Sequence, residues 1–427
     1  MKVLVIGGGG REHALVWKLA QSPKVSHVYC APGNAGIAQM AECVPLDVND
    51  FAALAEFAKR EHIGLTVVGP EDPLLNGIVD FFEEQGLAIF GPKKEAALLE
   101  GSKTFAKDIM EKYHIPTGAY RSFTEYDEAL AYVREQGAPI VIKADGLAAG
   151  KGVTVAFTME EAEEALRSMM VDDVFSGAGS RVVIEEYLVG EEMTLLSFVD
   201  GETVIPMVPS QDHKPVFNDD KGPNTGGMGT YSPVPHMDDS VVQQAIDTIV
   251  LPTARAMVAE GRPFRGILYT GLMITEKGPK VIEYNARFGD PETQVVLPRL
   301  ASDLADIFLA AVEGRLSECQ VEWKDGAAVC VVMSSEGYPG SYPKGREIAG
   351  LLANTDDVVV FHAGTAEQDG HIVTNGGRVL GVTAMGYDLY EAQRRAYETV
   401  RHISFEGAHY RTDIGAKALR KAEHNKR

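Results

Sequence analysis

The sequence predicts a multidomain chain of mixed α/β and α+β class, and three observations carry that prediction. Over residues 1 to about 100, short apolar runs alternate with segments of helical spacing, the pattern of an open parallel sheet covered by helices. The character changes near residue 101, and a strand-rich pattern resumes at about Gly326. With 427 residues and 45% hydrophobic composition, the chain is long enough for two to four domains, each with its own core. The expected division is an N-terminal α/β domain over 1–101, a central domain over 102–325 with a mobile subdomain at 119–192, and a small C-terminal α+β domain over 326–427.

In the first domain, residues 2–6, 27–30, 65–68 and 88–90 read as strands, and 11–21, 51–61 and 74–85 as helices. Each strand ends in a turn rich in glycine or proline: Gly7-Gly8-Gly9-Gly10, Ala31-Pro32-Gly33-Asn34, Gly69-Pro70-Glu71-Asp72 and Gly91-Pro92. In open α/β sheets ligands sit at such carboxyl-end turns. A helix follows at about 103–113. The mobile unit reads as a helix at 126–136, a strand at 140–143, a glycine loop, a strand at 153–157, a helix at 160–170 and a strand at 181–185. A polar loop over 211–228 precedes one long helix at 241–259 and strands at 266–274 and 280–282. The last domain reads as strands at 327–333, 358–361 and 378–384 and a helix at 389–401, and the basic tail from 417 to 427 is expected to fray.

Composition narrows the function. Forty basic and 61 acidic residues give a formal net charge of −21, which disfavours nucleic acid and anionic membrane as partners. No apolar stretch has transmembrane length, and the N-terminal run enters glycines without a signal-peptide cleavage site, so a cytoplasmic location is expected. The four cysteines have no Cys-x-x-Cys spacing, which argues against a disulfide framework or a zinc site.

The stretch Val281-Ile282-Glu283-Tyr284-Asn285-Ala286-Arg287 is the most informative in the chain. On a strand, Glu283 and Asn285 share one face while Ile282 and Tyr284 point to the other. A carboxylate and an amide oxygen two residues apart suit Mg²⁺, and Arg287 offers a fork to phosphate or carboxylate. The same pattern also fits an edge strand with a solvated polar face.

The N-terminal glycine run sits between strand and helix, yet Glu12 or His13 stands where the third glycine of a dinucleotide fingerprint belongs. Its backbone N–H groups with Arg11 suit a substrate phosphate, or else form a tight turn without a ligand. Gly146 to Lys151 is not a P-loop, since only three residues separate Gly146 from Gly150 and Gly152 replaces the magnesium-binding hydroxyl. A glycine loop between strands, with Lys143 and Lys151, reads as a lid over phosphates or as an exposed hairpin. The acidic segment from Glu185 to Glu192 can meet an adenine edge and ribose hydroxyls, or simply be solvated. In the polar loop, Lys214 and Lys221 suit phosphate or carboxylate, and His213 is either a base or structural.

Taken in order, Lys103, Lys143, the loop from Gly146 to Gly152, the segment from Glu185 to Glu192 and Glu283-x-Asn285-x-Arg287 resemble the ATP-grasp ligase superfamily. Gly8-Gly9-Gly10-Arg11-Glu12-His13-Ala14, Asn224-Thr225-Gly226-Gly227-Met228-Gly229 and Arg287-Phe288-Gly289-Asp290-Pro291-Glu292 resemble, more closely, the phosphoribosylamine–glycine ligase family, nearly end to end. That resemblance implies an ATP-grasp fold with a preceding α/β domain and a small C-terminal domain. It implies a ligase that joins glycine to 5-phosphoribosylamine through glycyl phosphate, using ATP and Mg²⁺ or Mn²⁺, in purine synthesis, with small molecules as partners and a monomer as the simplest assembly.

By the same resemblance, Glu283 and Asn285 hold metal, and Lys143, Arg287 and Asp290 are catalytic. Lys103, Gly150, Lys151, Gly152, Glu185, Lys221 and Leu272 belong to the ATP site, Glu186, Tyr187 and Leu188 line the adenine hinge, and Glu191 takes the ribose. Gly9, Gly10, Arg11, Pro32, Gly33, Asn34, Pro70 and Glu71, with Asn224, Thr225 and Gly226, hold phosphoribosylamine, while Asp212, Lys214 and Arg287 orient glycine and the amine. One departure stands out: the strand before Glu283 offers Gly271 where many superfamily members carry a second metal-binding carboxylate, leaving Glu292 as a substitute or one protein-anchored ion. Two other readings are another ATP-grasp enzyme of purine synthesis, carboxylating or formylating, and a catalytically silent nucleotide-binding protein.

Overall fold

The computed structural model describes residues 1–148 and 150–425; Ala149 of the expected lid loop and Lys426 and Arg427 of the expected frayed tail lie outside the described residues. The N-terminal sheet is parallel, in the order β3 (Glu42–Cys43), β2 (His27–Pro32), β1 (Lys2–Gly7), β4 (Ile63–Val68), β5 (Ile89–Phe90). Val3 to Ile6 are fully buried, because helices cover both faces of a parallel sheet. Chain order reverses at β1, and Gly7 pairs with Pro32 there, so the glycine and proline turns gather at the crevice beyond the strand ends. The helix expected at 74–85 is two, Glu71–Leu75 and Ile78–Glu84, because Gly77 adopts φ 92° between them. A further helix, Lys94–Gly101, leads into Lys103–Lys112.

The next unit is an antiparallel sheet ordered β6 (Tyr120–Phe123), β9 (Val182–Glu186), β7 (Ile140–Ala144), β8 (Val153–Ala156). Helices Tyr126–Gln136 and Met159–Met170 pack on it through Ala129, Val133, Ala162 and Leu166. A second four-stranded sheet follows, β11 (Thr203–Pro206), β10 (Glu191–Asp200), β16 (Arg265–Thr275), β17 (Gly278–Asn285). The polar loop over 211–228 is partly structured: β12 (Gln211–Asp212) is followed by a hairpin of β13 (Pro215–Phe217) and β14 (Lys221–Asn224). The long helix runs Asp239–Ala245 and Leu251–Ala259 with a π-helical turn at Ile246–Val250, just before Pro252, which has no N–H to continue the ladder.

The last sheet is ordered β12, β15 (Gly229–Ser232), β18 (Ala327–Ser334), β22 (Arg378–Gly386), β19 (Val358–His362), with a small hairpin of β20 (Thr365–Gln368) and β21 (His371–Thr374) beside it. Helix Leu389–His402 packs on β18 and β22. Part of the expected frayed tail is a helix, Ala416–His424, which buries Ala418 and rests Leu419 on the C-terminal core. Among the described residues no helix is long and apolar enough to cross a membrane.

Candidate functional site

The strand that carries Glu283 and Asn285 is built by an irregularity. Gly271 pairs with Glu283 but Leu272 pairs with Val281, so Ile282 is an extra residue, a β-bulge. The bulge turns the Ile282 carbonyl toward Lys143, whose Nζ donates to it at 2.9 Å. It also breaks the strict alternation expected for this strand. Val281 and Tyr284 are buried on one side, while Ile282 lines a small pocket together with Glu283, Asp212, Lys214 and Leu272.

Glu283 lies 3.6 Å from Lys214 Nζ. Burial pushes its carboxyl up, but Lys214, Lys143, Lys103 and Arg287 outweigh burial and hold it below the ordinary range, so it is ionised. Burial lowers Lys214, yet Glu283, Asp212 and Glu192 keep it well above the ordinary lysine value. Asp212 is lifted to about 6 by burial, against the pull of Lys214 and with a push from Glu192 and Glu283. Buried Glu292 is lifted to about 8, by burial first and then by Asp212 and Asp290.

Asn285 completes the strand's polar face. The amide orientation that satisfies both of its ends has the nitrogen donating to Glu100 Oε1 at 2.9 Å and Tyr284 O at 3.1 Å, and turns the oxygen, a hard donor atom, to the opposite side. Glu100 Oε1 also lies 3.2 Å from Arg287 Nε, and Glu71 Oε2 accepts from the same nitrogen at 3.0 Å. Burial raises Glu71, but Arg287 and Arg11 bring it to about 2, whereas burial lifts Glu100 to about 7. Arg287 is thereby fixed between two carboxylates. An ionised carboxylate beside an amide oxygen fits a divalent cation. Among the described residues no cluster of three or more His, Cys, Asp or Glu is placed to hold a metal.

Lys143 forms a second contact, to Glu185 Oε2 at 2.9 Å, and Lys107 reaches Glu185 Oε1 at 3.2 Å. The Glu185 carboxylate therefore faces two lysines. Lys103 donates to the Gly146 carbonyl at 3.2 Å, which ties the start of its helix to the lid loop. Glu186 accepts from Ala119 N at 3.0 Å, Tyr187 stacks edge-on against Phe157 with centroids 5.5 Å apart, and Leu188 is half-buried near Gly118. Glu191, expected to be open to a ribose, lies 2.6 Å from His236 Nε2 and touches Lys421 of the tail helix. His213 is buried and held to about 4 by that burial, packed on Tyr231, so it is neutral and structural in this state.

The N-terminal turns face inward more than expected. Gly9 N donates to Glu12 Oε2 at 2.8 Å and Arg11 N to Asp290 Oδ2 at 3.2 Å, so the chain's own carboxylates occupy donors expected to meet phosphate. The Arg11 guanidinium is taken by Glu12 and the Phe288 carbonyl, and Gly10 lies against Gln294 and Asp290. Asn34 uses its whole amide internally: its nitrogen donates to Gly8 O and His362 O, and its oxygen accepts from Gly36 N and Ile37 N. Pro32 and Gly33 shape this turn, and Pro70 caps the helix that begins at Glu71.

Asp290 receives Gln294 Nε2 at 2.8 Å and lies 3.7 Å from Arg378 Nη1. Arg378 also donates to the carbonyls of Asp290 at 2.8 Å and Gly227 at 3.4 Å. Thr225 braces the glycine turn through Lys214 O and Gly227 N, and Gly226 N donates to Tyr338 OH at 3.1 Å. A cleft of about 880 Å³ opens beside this turn between Gly150 and Lys151, the hairpin residues Phe217 and Asn224, and Ser335 and Tyr338 of the C-terminal sheet region. Lys221 is exposed on that hairpin.

Glu100, Lys107 and Arg378 were not read from the sequence as site residues. Lys107 stands one helical turn after Lys103 and so had a usable signal, whereas Arg378 enters from a strand with no motif of its own.

Family models described as phosphoribosylglycinamide synthetase match three segments: the N domain over 1–100, the ATP-grasp domain over 101–293 and the C domain over 328–417. The chain belongs to the phosphoribosylglycinamide synthetase family. A phosphoribosylamine–glycine ligase from Halalkalibacterium halodurans is 58% identical over 419 residues, 98% of this chain and 97% of that protein. One from Salmonella typhimurium is 55% identical over 428 residues, 99% of this chain and 100% of its own. The crystal structure of the ligase from Thermotoga maritima superposes with a TM-score of 0.84 at 35% identity, covering 97% and 100% of the two chains. A biotin carboxylase domain from Hydrogenobacter thermophilus, solved with MgADP, shares the fold at a TM-score of 0.72 and 17% identity. As a member of the synthetase family, the chain is an ATP-dependent carbon–nitrogen ligase of purine biosynthesis with an ATP-grasp fold.

Proposed function

We propose that this chain joins glycine to 5-phospho-D-ribosylamine with ATP, giving N1-(5-phospho-D-ribosyl)glycinamide, ADP and phosphate. The supporting observation is the convergence on one strand of an ionised Glu283, Asn285, Arg287 and the lysines Lys143, Lys103 and Lys214, with no protein nucleophile needed. A carboxylate is a poor acyl donor, so its oxygen first takes the γ-phosphoryl group of ATP. The amine then attacks the glycyl phosphate and expels phosphate. Such chemistry rests on positioning and charge. Lys143 and Lys103 neutralise the transferring phosphoryl group, Lys214 and Arg287 fix the glycine carboxylate, and Asp212 and Asp290 orient the two amines. Glu283 and Asn285 hold a divalent ion, Mg²⁺ or Mn²⁺, which supplies charge neutralisation at the phosphates when bound.

We further assign residues 1–101, 102–325 and 326–427 to three domains, with 119–192 as a lid, and expect a monomer in the cytoplasm. The test is product analysis with ATP, glycine and freshly generated phosphoribosylamine. With [¹⁸O]glycine carboxylate, label is expected in the released phosphate, and label held wholly in the amide product overturns the acyl-phosphate route.

A further inference from the structure

We propose that Arg378, from the C-terminal sheet, is the residue that grips the phosphate of phosphoribosylamine. The inference rests on the substrate pair proposed above. It begins with a shortage: the N-terminal glycine turn, the obvious phosphate cradle, has its donors committed. Gly9 N goes to Glu12 and Arg11 N to Asp290, while the Arg11 guanidinium is spent on Glu12 and the Phe288 carbonyl.

Arg378 has the opposite character. One nitrogen, Nη1, is anchored by the carbonyls of Asp290 and Gly227, which fixes the plane of the guanidinium. Among the described residues no acceptor lies within hydrogen-bonding distance of Nε or Nη2, and the side chain is 23% exposed. A half-open arginine held by one end and vacant at the other is arranged for a bidentate oxyanion. The surroundings are built for close approach. A Cβ on Gly226 would stand 2.9 Å from the guanidinium carbon and 3.0 Å from Nη2, so only glycine lets the 224–227 turn lie on this arginine. The Gly226 N–H donates to Tyr338 OH at the same place.

Position selects phosphate over the glycine carboxylate. The carboxylate must be activated beside Lys214 and Glu283, where the ATP-facing lysines converge. Arg378 bonds to Asp290 and Gly227 rather than to Lys214 or Glu283, so in this proposal the ribose ring joins the amine at the acyl centre to the phosphate at Arg378. The protein then reads phosphoribosylamine from two domains at once: its amine end at the central sheet and its phosphate from the C-terminal sheet.

The test compares Arg378→Gln and Arg378→Lys with the parent, using phosphoribosylamine and ribosylamine, which lacks the phosphate. In the parent, phosphoribosylamine is strongly preferred. Arg378→Gln is expected to raise KM for phosphoribosylamine about 10- to 100-fold, the loss of a charged hydrogen-bond pair. KM for glycine and ATP should stay within about twofold, and the preference over ribosylamine should shrink by the same 10- to 100-fold factor. Arg378→Lys keeps the charge without the fork and should recover part of the loss; it also carries the test if the Gln variant does not fold. A preference ratio equal to the parent's means Arg378 acts only structurally and overturns the proposal. A rise in KM for glycine instead assigns it to the carboxylate and also overturns it. If the parent makes no glycinamide product, the substrate reading itself fails and takes this proposal with it, whereas a functioning parent with an unchanged ratio isolates the failure to Arg378.

Discussion

Lys143 and Glu185 form a buried ion pair at 2.9 Å, and the same ammonium donates at 2.9 Å to the carbonyl that the Ile282 bulge exposes. One lysine thus ties the lid sheet to the strand that carries Glu283. Glu185 also neutralises Lys107, whose ammonium burial draws down to about 8. Glu185→Gln leaves two buried lysines without a counter-charge, and breaking a buried pair in this way costs on the order of 3 kcal/mol. The variant should unfold at a clearly lower urea midpoint and exchange amide hydrogens faster over 120–186. A parental midpoint would mean that the pair is not what joins these two sheets.

Glu283 is ionised because lysines outweigh its burial, and that charge is the feature a divalent ion needs. Glu283→Gln retains size and hydrogen bonding but removes the charge. Turnover should fall on the order of 100-fold or more, with an unchanged circular dichroism spectrum and Mn²⁺ affinity, read by electron paramagnetic resonance, weakened at least in parallel. Parental turnover at saturating Mg²⁺ would remove Glu283 from the metal site.

How much of this was legible depends on whether the signal was local. Periodicity located four of the five N-terminal strands and the elements from Tyr126 to Glu186 to within a residue or two, because each buries a face that its own spacing records, but strands Glu42–Cys43 and Tyr120–Phe123 were not read. Glu283 and Asn285 do lie on the strand expected for them, Gly278–Asn285. The Ile282 bulge was not legible, since an extra residue in a ladder shows only against the partner strand. Strand Glu191–Asp200 escaped because its acidic start reads as a solvated loop while its interior is buried on both faces. The tail helix reads as frayed from its basic residues, yet Ala418 and Leu419 find a core assembled from distant sequence. Arg11 and Asn34 looked like ligand donors, and only the fold reveals that Glu12, Phe288 O, Gly8 O and His362 O absorb them.

Gly271 pairs with Glu283 across the sheet, and a Cβ there would come 3.2 Å from Glu283 Cγ. The backbone does not require glycine, so Gly271→Ala should change stability by about 1 kcal/mol or less. The metal carboxylate, however, must shift to make room, and displacement of a positioned group costs on the order of 10-fold in kcat. An unchanged kcat would show that the empty position opposite Glu283 has no part in placing it.

Glu292 supplies a pH test. Burial and the charges of Asp212 and Asp290, partly offset by Lys214 and Arg287, raise its carboxyl from an ordinary 4.5 to about 8. Between those values the folded state keeps a proton that the unfolded chain has released. Unfolding therefore releases a proton in this window, and stability falls as pH rises through it. Below about 4.5 both states are protonated and the effect vanishes. Glu292→Gln is a permanently neutral mimic of the protonated form, so it should come close to the parent near pH 5 and exceed it by several kcal/mol at pH 9, at about 1.4 kcal/mol for each pKa unit between the unfolded and folded values. Urea denaturation of the unliganded protein at the two pH values reads the difference. Parallel loss of stability in parent and variant from pH 5 to 9 would assign the pH dependence to other groups and leave Glu292 an ordinary ionised carboxylate.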